Sequence, residues 1–252
     1  MKNIALLIAL LFFGNNIYSQ IWNNEVICSP NPVIIRRSYK FNDSVITYNA
    51  YLCQTRSKIA VRLEVGISKY FYNPSTSKWL GQHGGPNFNL FLSYNKLNAG
   101  VKLKPWTINP KQVLDFNGTI LPVTAKLNPT KIDFIIGYSL DLKRNFSLEP
   151  NIGFTRSVFE VINEEELEQY YSIPKTGGFL IGLTANKYFN FKEYEYISIF
   201  GNIAYGFVDF AKVHHSLASG YAELTLGIAY KGFLTKYFYK QAQKPSKPEI
   251  TI

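Results

Sequence analysis

The stretch Ile59-Ala60-Val61-Arg62-Leu63-Glu64-Val65-Gly66-Ile67-Ser68 puts a branched apolar residue at every odd position and a small or charged one at every even position. A period of two is the repeat of a β-strand with one apolar and one polar face. A helix would bring both sets around its axis and could not separate them. The same texture recurs seven more times. Residues 87–94 set Phe88, Leu90, Leu92 and Tyr94 against Asn87, Asn89, Phe91 and Ser93, and 97–104 set Leu97, Ala99, Val101 and Leu103 against Asn98, Gly100, Lys102 and Lys104. Further alternating runs cover 132–142, 146–158, 179–186, 197–207 and 222–231.

Eight alternating segments suit a soluble sandwich as well as a barrel. Two features separate these readings. The polar faces are rich in Gly, Ser, Asn and Thr, which suit the crowded lumen of a narrow barrel. Their charges are of both signs: Arg62, Lys102 and Lys104 are placed to pair with Glu64, Asp133, Glu149 and Glu223. Aromatic residues gather at segment ends, as Tyr70-Phe71-Tyr72, Tyr188-Phe189 with Phe191, and Tyr194 with Tyr196, which is the placement of an interfacial girdle.

The connections alternate in length. Residues 73–86, 105–131, 160–177 and 208–220 are long, whereas 95–96, 143–145 and 188–195 are short, with tight-turn residues in Asn95-Lys96 and Lys143-Arg144-Asn145. Long loops on one side and turns on the other belong to an antiparallel up-and-down transmembrane β-barrel. The expected fold is therefore all-β, with eight strands. Residues 45–53 and 119–127 also look strand-like, so ten strands are the alternative.

The start of the chain reads as an export signal. Lys2 is followed by the apolar run Ile4–Phe13, too short to span a bilayer as a helix, and Ser19-Gln20 offers a cleavage point. No later run of 18 apolar residues exists, which excludes a helical membrane protein. In an exported chain two cysteines, Cys28 and Cys53, suggest a disulfide, which would contribute about 3 kcal/mol in the chain-entropy model. The expected organisation is a signal peptide over 1–19, an N-terminal periplasmic segment over 20–56, a barrel over 57–233 and a flexible basic tail over 234–252.

The 252-residue chain carries a formal net charge of +10. In a cytosolic protein that would raise nucleic acid as a partner. Behind an export signal, anionic lipid headgroups and lipopolysaccharide phosphates are the expected partners, with other envelope proteins beside them and no nucleic acid. No cofactor and no metal site is expected.

The signal segment, the stretch Phe146-Ser147-Leu148-Glu149-Pro150-Asn151-Ile152-Gly153-Phe154 and the Gly-containing closing segment resemble the small bacterial outer-membrane β-barrel proteins of the porin-like, OmpA/OmpX type. The resemblance spans residues 45–233. It implies the fold and a location in the outer membrane of a Gram-negative bacterium. It implies little about activity, because such barrels serve as adhesins, gates, secretion accessories and lipid-modifying enzymes.

His214, His215 and Ser216 lie in the last long loop, with Glu223 downstream. A Ser nucleophile, a His base and a carboxylate that orients it form a hydrolytic triad. This set is similar to the lipid A 3-O-deacylases. Here, however, Glu223 is close in sequence, and its parity directs it into the lumen. A solvated polar loop is the plainer reading. Trp79 and Trp106, with Lys78 and Lys104, read as interfacial anchors or a glycan-binding patch. His83-Gly84-Gly85-Pro86 and Asn117-Gly118 read as turns. The expected role is a non-enzymatic structural, interaction or secretion-accessory barrel. A lipid A-modifying acyl hydrolase is the alternative, and a narrow channel the second.

Overall fold

A computed structural model describes residues 22–38, 45–116, 119–162 and 173–241. The eight alternating segments all form strands: β3 (Val45–Tyr72), β4 (Gly84–Tyr94), β5 (Leu97–Lys104), β8 (Lys126–Tyr138), β10 (Phe146–Ile162), β11 (Thr176–Lys192), β12 (Glu195–Val208) and β13 (Tyr221–Gln241). Each pairs with the next of this series, and β3 pairs with both β4 and β13. The ladder therefore closes on itself as an eight-stranded up-and-down barrel. Closure leaves no edge strand, which is what lets a sheet stand in hydrocarbon with every backbone group paired.

The short connections are tight turns whose geometry the residues permit. Asn95, Arg144, Asn145 and Tyr194 adopt left-handed backbone conformations, with φ of 54°, 63°, 58° and 64°. Asn tolerates this region, whereas Tyr194 holds it at a cost of about 1 kcal/mol. The segment read as one strand over 132–142 is broken after Tyr138 and resumes as β9 (Leu140–Leu142), which pairs with β10.

Neither extra segment adds a barrel strand, so the alternative of ten does not arise. Residues 45–53 are the first part of β3, where they pair with β1 (Trp22–Cys28) and β2 (Val33–Ser38). Residues 119–127 divide between β7 (Thr119–Leu121) and the start of β8. β7 pairs with β6 (Leu114–Phe116) in a separate two-stranded sheet inside the second long loop.

Contacts divide the chain into two compact units, Ala60–Gly232 and Met1–Ile59 with Phe233–Ile252. In the latter, Cys28 lies opposite Cys53 across the β1–β3 ladder, and the two form a disulfide. β13 runs on to Gln241, so residues 234–241, expected as the start of a tail, are strand. The expected signal peptide, the turn at Asn117-Gly118 and residues 242–252 lie outside the described residues.

The barrel is inverted relative to a soluble protein. Its outward side chains are large and apolar, with Ile67 at 71%, Ile203 at 67% and Ile152 at 64% exposure. Its inward side chains are mostly polar, charged or glycine, with a small apolar cluster of Phe91, Ile135, Leu180 and Ala204 among them. Such an exterior is costly in water and favourable in lipid. Along β12 the outward apolar set runs from Ile197 to Phe207. Ten residue steps of about 3.4 Å at a tilt of about 40° give a height of about 26 Å, close to the apolar band of a membrane barrel.

Candidate functional site

The inward residues of Ala60–Gly232 fill the lumen completely enough that eight ionisable side chains are buried. They are the cations Arg62, Lys102, Lys104 and Lys131 and the carboxylates Glu64, Asp133, Glu149 and Glu223. Four charges of each sign leave this buried set electrically neutral. Unpaired charges in a low dielectric are expensive, so each must meet a partner.

Arg62 meets Glu149 through two hydrogen bonds, Nη1 to Oε2 at 2.7 Å and Nη2 to Oε1 at 3.1 Å. Its Nε lies 2.9 Å from Glu64 Oε1, an ion-pair contact outside hydrogen-bond geometry. Glu64 also accepts from Asn89 Nδ2 at 2.6 Å. The guanidinium stacks on Phe91, 4.4 Å from its centroid. Lys104 Nζ bridges Asp133 and Glu223, donating to Glu223 Oε2 at 2.7 Å. Glu223 Oε1 accepts from Ser68 Oγ at 3.1 Å and Thr225 Oγ1 at 2.9 Å. Arg62, Glu64, Lys102, Lys104, Asp133, Glu149 and Glu223 are all buried.

Lys131 is a member outside the expected set, since residues 105–131 read as a long loop. β8 begins at Lys126, and Lys131 shares the inward face of Asp133 two residues on, a parity signal that extending the run would have found. Its ammonium donates to Tyr72 Oη at 2.9 Å and sits 3.6 Å from the Tyr221 centroid and 3.9 Å from that of Tyr70. Aromatic faces attract a desolvated cation, which explains a buried lysine surrounded by rings.

Above Lys131 the long loops fold into a cap. Helix α1 (Pro74–Leu80) supplies Trp79 and Leu80, the β6–β7 hairpin supplies Leu114, Phe116 and Leu121, and the last long loop supplies Phe210, Val213 and Leu217. These side chains share one apolar cluster with Tyr70, Tyr72 and Tyr221 of the barrel wall. The loops are also tied by polar contacts. Thr76 Oγ1 donates to Ala218 O, and Ala218 N donates to Ser75 Oγ, both at 2.7 Å. Lys111 N donates to Trp79 O at 2.6 Å.

Several expectations are corrected here. Tyr70 and Tyr72 are buried in the cluster and do not stand in an outer girdle; only Phe71 between them faces outward. Trp79 and Trp106 are likewise buried cap residues, neither interfacial anchors nor an accessible glycan patch, and Lys104 lies in the lumen. Gly84 and Gly85 begin β4 instead of forming a turn. His83, just before it, packs against Tyr70, Tyr72 and Trp106. Burial, reinforced by the nearby Lys131 ammonium, lowers its pKa to about 4.

The hydrolytic set is only partly assembled. His214 Nδ1 and Ser216 Oγ are 2.7 Å apart, within hydrogen-bond reach. The same nitrogen accepts from Ser216 N at 3.3 Å, which makes the contact part of a local turn. Glu223 does not join it, since Lys104, Ser68 and Thr225 occupy its carboxylate inside the lumen. His215 packs beside His214, with ring centroids 4.4 Å apart and the planes tilted by 32°. Among the described residues no group of three or more His, Cys, Asp or Glu side chains is arranged to hold a metal ion.

No protein-family model matches the chain, and no curated protein matches it. Similar solved structures include Neisserial surface protein A, at 11% identity and a TM-score of 0.40, covering 71% of this chain and 98% of that one. The outer membrane protein OprG from Pseudomonas aeruginosa is similar at 9% identity and a TM-score of 0.41, over 68% of this chain and 95% of that one. Ail, the attachment invasion locus protein of Yersinia pestis, is similar at 12% identity and a TM-score of 0.41, over 69% and 97%. The fold rests on this chain's own closed ladder: it is an eight-stranded antiparallel up-and-down β-barrel with an apolar exterior.

Proposed function

We propose that this chain is an outer-membrane barrel with a structural or interaction role, which displays a folded cap outside the cell and conducts little or nothing. The observation that carries this reading is the buried charge set inside the lumen, braced by the Arg62–Glu149 and Lys104–Glu223 pairs and covered by the apolar cap cluster. An eight-stranded barrel has room for its own side chains and little else. Outer-membrane lipid and lipopolysaccharide are its immediate partners in this reading, and the cap surface is where another envelope protein would bind. The net charge of +10 supports anionic partners. Planar-bilayer recording of the refolded full chain tests the role. The expected trace lacks steady open-channel current; a stable conductance in the unmodified protein would replace this reading with that of a narrow channel.

The hydrolase alternative has the His214–Ser216 contact in its favour and lacks a carboxylate to orient the histidine. Mass spectra of lipid A from cells with and without the protein decide it, and loss of an acyl chain only when the protein is present would revive it.

A further inference from the structure

The barrel exterior is not uniformly convex. On the face formed by β5, β8, β10, β11 and β12 lies a groove of about 690 Å³. Ala99, Gly100 and Gly153 form part of its floor, and Phe134, Phe154 and Phe179 stand around it. Two inward positions behind it are glycine. A Cβ on Gly100 would meet Leu90 O at 2.3 Å, and one on Gly153 would meet Phe134 O at 2.2 Å, so neither position admits a side chain. Phe154 is directly opposite both Phe134 and Phe179 in the ladder, which raises an aromatic rim across three adjacent strands. The volume falls in the ordinary range of small-molecule sites, roughly 300–1,000 Å³.

A cation stands beyond the aromatic rim of the groove on the long-loop side. The next outward residue beyond Phe154 on β10 is Arg156, about 7 Å along the strand. Its cross-strand partner on β11 is Gly177, which leaves the guanidinium uncovered on that side. Lys175, two residues before Gly177 and just ahead of β11, is exposed at the same end of the strand pair. Among the described residues neither cation is in an ion pair. An apolar groove with two exposed cations beyond its long-loop rim has the polarity of one kind of ligand: acyl chain below, phosphate above.

We propose that this face is a binding site for a phosphorylated glycolipid of the outer leaflet, of the lipid A type, with one acyl chain in the groove and a phosphate between Arg156 and Lys175. This rests on the outer-membrane reading above and gives it a specific lipid contact. Guanidinium suits this task because it meets a phosphate with paired donors.

Native mass spectrometry of the full chain, released from detergent after exposure to diphosphoryl lipid A, phosphatidylglycerol or phosphatidylcholine, tests it. The unmodified protein is expected to retain lipid A above both phospholipids. Arg156→Gln with Lys175→Gln should lower that retention about thirtyfold, the loss expected for two cations that face anionic headgroups. Ala99→Phe, which fills the groove, should lower it with the cations intact. Equal retention of phosphatidylglycerol, undiminished retention by either variant, or a second copy of the chain in place of lipid would each overturn the proposal. Every sample is first run unheated and boiled on a denaturing gel. A mobility shift with no lipid preference removes only the site; absence of the shift in the unmodified chain removes the barrel reading beneath it.

Discussion

Arg62 and Glu149 are 87 residues apart in the chain and meet across the lumen in a two-bond guanidinium–carboxylate pair, each side chain about 1% exposed. The pair joins β3 to β10, strands that are not neighbours in the ladder, so it braces the barrel from inside.

Breaking that brace on one side should be costly. Arg62→Ala leaves Glu149 and Glu64 buried with a missing cation, and a loss of about 3–5 kcal/mol is expected in urea unfolding of the lipid-reconstituted protein. Replacing both partners by apolar residues, Arg62→Met with Glu149→Leu, should recover part of that loss, since desolvation of two charges is then avoided. A double variant no more stable than Arg62→Ala would show that the pair is not the relevant interaction.

Close approach of strands makes some glycines irreplaceable and others not. A Cβ on Gly178 would lie 1.9 Å from Phe207 O, a backbone atom that cannot yield, whereas one on Gly201 meets only Leu226 Cδ2 at 3.3 Å. Gly178→Ala should abolish or sharply reduce the heat-resistant folded band on an unheated gel. Gly201→Ala should leave it unchanged.

The cap should loosen in acid. His83 has a folded pKa of about 4, below its unfolded value of about 6.5. The unfolded form therefore binds more protons between these values. The stability from neutral His83 is complete above about pH 6.5 and is lost as pH falls toward 4. Fluorescence of Trp79 and Trp106, recorded in a Trp22→Phe background, should change over that window. The change should flatten in His83→Gln.

The disulfide should matter locally. Cys28 and Cys53 belong to the unit outside Ala60–Gly232. Closure of a loop with a separation of 25 residues contributes about 3 kcal/mol in the chain-entropy model. Cys28→Ser with Cys53→Ser should make the N-terminal segment more sensitive to protease while the barrel keeps its heat-dependent gel shift.

The barrel was legible in the sequence because its determinant is local: period-two alternation is written along each strand, and parity alone put Arg62, Lys102, Asp133 and Glu223 on one inner face. The same parity, carried to even positions past Ser68, places Tyr70 and Tyr72 inside. Their aromatic character at a strand end suits a girdle, but their phase directs them into the lumen. The cap was not legible, because its core joins Trp79, Phe116 and Phe210 from three separate loops, and no local period announces such contacts. The His214–Ser216 contact was legible as a neighbouring pair, while the commitment of Glu223 to Lys104 depends on a partner 119 residues away.

The central claim is an inverted barrel, with apolar side chains in lipid and charges within. Spin labels placed singly along β12 test it most directly, at Ile199, Ile203 and Phe207 on one face and Phe200, Asn202 and Ala204 on the other, in lipid vesicles. The account predicts strict alternation: labels on the first face relax with oxygen dissolved in the bilayer, and labels on the second are shielded from it. Labels at Ile199, Ile203 and Phe207 that relax with a water-soluble nickel complex, or accessibility with no period of two, would contradict it.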